Sequence, residues 1–278
     1  MMPTMGNGSP DPFRPLAVGD VLGTAAQVIG ANVGALVLIA LTCLSPALLP
    51  GFLFRLARTA GMLGDASAIT PDTFVPFLAT AGAGTVVLGL LTLVFSAVSQ
   101  GAMLFMTIET MAGRRATVGS SLRVAISRLL PLLGVSLLSA LVVWLGLLLC
   151  LVPGIYLAII FYVCVPVTVT EGLNPVEALR RSTALTLGHR WNLLAIAIVV
   201  GLISTALALA NYAVGSGLRF VTASVASSWV REGVVFGIEA ITQVLQAVVD
   251  AVVVGVAYTR LRGINDGVDV DAIARVFE

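Results

Sequence analysis

Apolar positions in this chain come in long blocks separated by short polar stretches. The blocks fall at about 33–54, 79–111, 129–151, 155–169, 193–214 and 234–258. Most reach the roughly 20 residues that carry a helix across a hydrocarbon core of about 30 Å, whereas a membrane barrel shows segments of about ten alternating residues. The pattern therefore predicts an all-α polytopic membrane protein with six transmembrane helices. Pro46 and Pro50 are expected to bend the far half of the first span. The second is long enough for a tilted crossing plus an extra turn. Val152, Pro153 and Gly154 predict a very tight hairpin between the third and fourth spans, and Arg260-Leu261-Arg262 stops the sixth.

The segments entering spans one, three and five resemble one another: VGDVLGTAAQVIGANVGALVLI from Val18, VGSSLRVAISRLLPLLGVSLL from Val118, and NPVEALRRSTALTLGHRWNLLAIA from Asn174. Each reads as a short amphipathic helix, a break and then a span, which predicts interfacial helices and a threefold pseudo-repeat. In the third copy Val176, Leu179, Thr183 and Leu187 share one face, with Glu177, Arg180, Arg181 and Arg190 toward the other, as in a helix lying at the membrane surface. Asn174 is placed to cap it, with Pro175 at the first helical position and Glu177 three residues after the cap.

Composition removes the soluble alternatives. The chain is 58% hydrophobic and 10% charged, with a mean hydropathy of +1.05. A polar N-terminal segment (1–17) and a tail (263–278) flank one membrane domain (18–262), and neither is long enough for a second core. The start MMPTMGNGSPDPFRP lacks the basic region and apolar run of a cleavable signal peptide. All 15 basic residues are Arg, and they cluster in alternate loops. Arg14, Arg114, Arg115, Arg123, Arg128, Arg180, Arg181, Arg190, Arg260, Arg262 and Arg275 fall on one side, and Arg55, Arg58, Arg219 and Arg231 on the other, beside Asp65, Asp72 and Glu232. The positive-inside rule then puts both termini in the cytoplasm.

Candidate chemistry is sparse. Glu239, Gln243, Gln246 and Asp250 are separated by four, three and four residues, so they lie along one face of the sixth span. The two carboxylates are about 16 Å apart along the helix. Ionised groups facing lipid are costly, so this face should meet protein, water or a counter-charge. It reads either as a structural polar seam or as the lining of a water-filled path. Gln100 and Asn211 are candidate interhelical partners, Glu109 is within reach of Arg114 and Arg115, and Arg123, Arg128, Arg180, Arg181 and Arg190 are candidate lipid-headgroup contacts. His189, between the chain's short helix and Trp191, reads as part of a membrane anchor. Cys43, Cys150 and Cys164 have no metal-binding spacing and read as packing residues. No Walker loop, nucleophile elbow, HExxH pair or dinucleotide fingerprint occurs, so neither an enzyme nor a cofactor, metal, nucleotide or nucleic-acid site is expected.

FRPLAVGDVLGTAAQVIGAN, and more specifically VPGIYLAIIFYVCVPVTVTEGLNPVEALRRSTALTLGHRWNLL, resemble the bacterial membrane-domain family named after its occurrence beside glycerophosphoryl diester phosphodiesterases. Carrying the resemblance are Pro153-Gly154, Pro166, Glu171, Ala178-Leu179, Arg181-Ser182, Gly188 and Trp191. It implies an inner-membrane domain with a role in envelope or lipid homeostasis; the phosphodiesterase that holds catalytic residues in fused members has no counterpart here. Two functions stay open. A non-enzymatic membrane organiser would contact lipids, a second copy or another membrane protein, and a channel or transporter would use the polar face as a path.

Overall fold

The computed structural model describes residues 17–59, 71–114, 116–221 and 227–266. Arg14, Arg115, Asp65, Arg275, the polar start and most of the tail lie outside the described residues. The described chain forms α1 (Val18–Thr59), α2 (Pro71–Met111), α3 (Val118–Ser127), α4 (Leu129–Leu149), α5 (Leu151–Ile160), α6 (Cys164–Glu171), α7 (Pro175–Thr186), α8 (Arg190–Val221) and α9 (Ser228–Asp266). Among the described residues, six stretches are long and apolar enough to cross a bilayer: Val18–Pro46, Leu88–Met111, Leu129–Leu149, Leu151–Glu171, Arg190–Val221 and Trp229–Asp266. The protein is an all-α polytopic membrane protein.

Each expected short-helix-to-span joint contains a break. Asn32 leaves helical geometry inside α1 (φ −131°, ψ 19°), and Arg128 does so between α3 and α4 (φ −108°, ψ 18°). Both sit near the bridge region of backbone space. The third joint differs: Leu187 is extended and Gly188 has φ +84°, which a glycine adopts without steric cost. Small or slim residues four apart dock each short helix, as Val21 and Ala25, Ser121 and Ala125, and Ala178 and Ser182 are all buried. The Asn32 break is tied down where Nδ2 donates to Thr110 Oγ1 at the end of α2, 3.2 Å away.

Proline acts differently at its several sites. The backbone keeps helical dihedral angles through Pro46 and Pro50, and the residue that leaves them inside α1 is Asn32. The Thr42 carbonyl, left without a donor by Pro46, receives the Ser45 hydroxyl at 3.5 Å. In the fourth span Pro166 offers no N–H to the Tyr162 carbonyl and its ring crowds it. The helix accordingly divides at residues 161–163 into α5 and α6. The Ile160 carbonyl at this division accepts the Ser182 hydroxyl at 2.7 Å, which fastens α7 across it. The α4–α5 turn lies earlier than the expected Val152-Pro153-Gly154 hairpin. Cys150 alone is extended (φ −170°, ψ 152°), and Pro153 sits in the first turn of α5, where its missing N–H is not needed. Gly154 is where the helices touch, since a Cβ there would lie 2.7 Å from the Cα of Leu147.

Long α1, α2 and α9 pack together at the centre, with the α4–α5 hairpin and α8 on the flanks. Leu36, Ile39, Met103, Met106, Leu132, Leu193, Ile196 and Tyr258 are fully buried between them. Trp144, Leu148, Leu202 and Phe220 point outward from the flanking helices, where lipid would cover them. Contacts Arg260–Thr24, Asn32–Thr110, Arg128–Val169 and Arg181–Asp266 collect the starts of α1, α4 and α8 and the ends of α2, α6 and α9 at one end of the bundle. Arg55–Glu239 and Arg219–Glu232 mark the other. The arginine-rich and arginine-poor loops therefore occupy opposite ends.

Candidate functional site: a polar cleft in the membrane span

The polar row of α9 is split by its surroundings. Glu239 pairs with Arg55 of α1, Oε2 to Nη1, at 2.5 Å. That ion pair caps the arginine-poor end of the row. One turn further on, Gln243, Gln246 and Asp250 line a cleft of about 440 Å³. Gln100 of α2 and Tyr162 of the α5–α6 division face the same space, and Leu44, Leu104, Val165, Ala247, Ala251 and Val254 complete the lining. Asp250 lies ten residues before Arg260, about 15 Å along the helix, which is near the middle of a hydrocarbon core about 30 Å thick.

None of Gln100, Gln243, Gln246 and Asp250 has a hydrogen-bond or ion-pair partner among the described residues. A packed seam would pair these groups with one another, because a carboxamide brings two donors and an acceptor that must be satisfied away from water. The cleft keeps them apart around open space. Gln100 and Gln243 are exposed, Gln246 and Asp250 are half-buried, and Ala251, Val252, Val253, Val256, Ala257 and Tyr258 are buried. The lining is thus most accessible at Gln100 and Gln243, and the α9 residues that follow toward Arg260 are mostly buried in a packed belt.

Below that belt a polar network joins α6, α7 and α9. The Tyr258 hydroxyl lies 2.7 Å from Thr170 Oγ1 and donates to Glu171 Oε1 at 3.0 Å. Glu171 pairs with Arg181 at 3.3 Å, and Arg181 with Asp266 at 2.8 Å. The Asp266 hydrogen bonds raise the Arg181 pKa above its already high usual value. Asn265 Nδ2 also donates to the Leu185 carbonyl, 3.2 Å away, so α7 is held to the end of α9 at two points.

The five headgroup candidates divide. Arg123 and Arg180 are exposed and have no hydrogen-bond or ion-pair partner among the described residues. Arg128 instead turns inward, donating to the carbonyls of Thr168 (3.2 Å) and Val169 (2.5 Å) at the C-terminal end of α6. There its charge also meets the negative end of the helix dipole. Arg181 belongs to the network, and Arg190 donates to the Tyr156 hydroxyl with its guanidinium 5.1 Å from the ring centre. Glu109 is engaged by Arg114 through two bonds of 2.6 and 2.8 Å. Asn211 does not line the cleft; its Oδ1 is buried without a hydrogen-bond partner among the described residues.

The expected apolar row of α7 is divided between protein and surface. Ala178, Leu179, Ser182, Leu185 and Thr186 are buried, whereas Val176 and Leu187 stay exposed at 65% and 63%. Of the row Val176, Leu179, Thr183 and Leu187, Leu179 is thus docked, Thr183 is half-buried and the two ends are exposed on the side of Arg180. The asparagine cap region behaves as its spacing suggests, with the Asn174 N–H donating to Glu177 Oε2 at 3.4 Å. Tyr162 was missed by sequence reasoning; the available signal was a tyrosine four residues before a proline inside a span. Cys43 and Cys164 are buried but Cys150 is exposed at its turn, and no group of three or more metal-ligating side chains occurs among the described residues. No family model, curated protein or solved structure matches the chain.

Proposed function

We propose that this protein is a non-enzymatic membrane protein of the transport class, which admits a small polar or amphiphilic molecule to the α9 cleft. The observation that carries the reading is the set of four unpartnered polar side chains around a cleft of about 440 Å³ at mid-membrane depth. Such groups are tolerated in a bilayer where they meet water, a ligand or a counter-charge. The cleft's volume is in the usual range of small-molecule sites, about 300–1,000 Å³. In this reading the arginine-rich end faces the cytoplasm of a bacterial inner membrane, following the positive-inside rule. In that orientation Gln243 is the α9 lining residue nearest the outer side, and the Tyr258–Glu171–Arg181–Asp266 network lies toward the inner one.

A membrane-organising role in envelope or lipid homeostasis is the second reading. It draws support from Arg123 on α3 and Arg180 on α7, both exposed at the arginine-rich end where anionic headgroups would lie. Kinship with the membrane domains found beside glycerophosphoryl diester phosphodiesterases belongs to this reading, and rests on the motif from Pro153 to Trp191.

The two readings separate in a cysteine scan. With Cys43, Cys150 and Cys164 replaced by Ala, single cysteines at Gln243, Gln246 and Asp250 should react with a charged, water-soluble thiol reagent. Reaction should slow in that order, and cysteines at the buried Val248 and Val252 should remain silent. Silence at all three cleft positions in a folded protein would overturn the transport reading and leave the organiser.

A further inference from the structure

Asp250 is the one ionisable carboxylate in the lining of the cleft, and no Arg or His lines it among the described residues. The nearest charged residues along α9, Arg260 and Glu239, lie ten and eleven residues away, and Glu239 is paired with Arg55 at 2.5 Å. An ionised Asp250 would therefore give the site a net negative charge. The groups facing it offer oxygen acceptors from Gln100, Gln243 and Gln246 and the aromatic ring of Tyr162. Carboxylates, amide oxygens and aromatic faces all attract cations.

The remainder of the wall decides what kind of cation fits. Leu44, Leu104, Val165, Ala247 and Val254 make it largely apolar. Mg²⁺ and Ca²⁺ ask for six or more oxygen ligands at close range, and one carboxylate among aliphatic groups is a poor cage for them. An apolar body bearing one positive charge matches both parts of the wall, and at about 440 Å³ the space is large enough for such a body.

We propose that the cleft binds a lipophilic organic cation, a protonated amine or quaternary centre carried on an apolar body, with Asp250 as its counter-charge. This rests on the transport reading and adds the ligand class to it. Gln243 and Gln100, the exposed polar groups of the lining, meet the ligand first. Asp250 holds the charged centre deeper in the membrane.

The test uses the full chain in nanodiscs of zwitterionic lipid, with empty nanodiscs as the partition control. Tetraphenylphosphonium and tetraphenylborate are the probes, because they share a shape and differ in the sign of their charge. The expected result is saturable binding of tetraphenylphosphonium, one per chain, and none of tetraphenylborate. Asp250→Asn should weaken cation binding about thirtyfold or more, as removal of one partner of a desolvated charge pair does. Asp250→Glu, which keeps the charge, should bind within a few-fold of the parent and guards against a folding defect in the neutral variant. If both probes bind equally, Ala247→Trp blocks them and Asp250→Asn does not, the cation class is overturned while the cleft stands. The cation class is likewise overturned if neither probe binds while cysteines at Gln243 and Gln246 react with a water-soluble reagent. Absence of binding together with silent cysteines would remove the transport reading as well.

Discussion

Tyr258→Phe deletes one hydroxyl from a fully buried ring at the floor below the cleft. That hydroxyl has two partners, Thr170 Oγ1 at 2.7 Å and the Glu171 carboxylate at 3.0 Å. A net hydrogen bond is worth about 0.5–1.5 kcal/mol between neutral groups and about 1.5–3 to a charged one. Neither partner is orphaned by the change, because the Thr170 proton freed from Tyr258 has the Pro166 carbonyl as acceptor at 2.8 Å and Glu171 still pairs with Arg181 at 3.3 Å. The expected loss is therefore at the low end of the sum, about 2 kcal/mol. Tyr258→Leu should cost about 3–5 kcal/mol, since it also empties ring volume from a packed belt. Steric trapping in bicelles measures the unfolding free energy directly. Combined with Glu171→Gln, the Tyr258→Phe variant should be non-additive by at least about 0.5 kcal/mol, the lower bound for residues sharing a bond. A loss below about 0.5 kcal/mol for Tyr258→Phe, or strict additivity with Glu171→Gln, would refute the claim that this hydroxyl joins α6 to α9.

Three further outcomes follow from other parts of the fold. Arg128→Leu, which strips both carbonyl bonds from the end of α6, should destabilise by about 2–3 kcal/mol in the same assay, while Arg123→Leu, at an exposed position, should change stability by less than about 0.5 kcal/mol. Gly154→Val should cost about 1–3 kcal/mol by overpacking, because even its Cβ would lie 2.7 Å from the Cα of Leu147; an unchanged unfolding curve would contradict the close α4–α5 contact. Neutralising Arg123 and Arg180 together should weaken binding of anionic-lipid vesicles by about 2 kcal/mol, roughly one per arginine, whereas replacing Arg128 should leave lipid binding of the folded fraction unchanged.

Much of the fold was legible because a bilayer imposes one rule that sequence displays openly: a span needs about 20 apolar residues with every backbone group bonded internally. The six blocks, the polar row of α9 and the three short entry helices all follow from periodicity of 3.6 residues. The orientation of α7 was not legible. Its row of Val176, Leu179, Thr183 and Leu187 reads as one face of an interfacial helix, but at a membrane boundary protein and lipid compete for apolar surfaces. Protein took Leu179 and Leu185 together with the small residues Ala178 and Ser182, which permit close approach, and left Val176 and Leu187 exposed. The arginines were ambiguous for a related reason. Charge alone did not distinguish Arg128, drawn to the carbonyls freed at the end of α6, from Arg123, which stays exposed. The cleft itself depends on Tyr162 and Gln100 reaching α9 from distant parts of the chain, and no local pattern encodes that meeting.

The most direct measurement of the cleft is hydration at single sites on α9. Nitroxide labels at Gln246, at outward-facing Leu245 (48% exposed) and at buried Val248 sample three surroundings on neighbouring residues. Deuterium modulation from heavy water reports contact with solvent, and oxygen collision rates report contact with lipid. A hydrated cleft predicts strong deuterium modulation at Gln246, high oxygen access with little modulation at Leu245, and neither at Val248. A label at Gln246 that is dry, whether oxygen-accessible like Leu245 or shielded like Val248, would contradict the account.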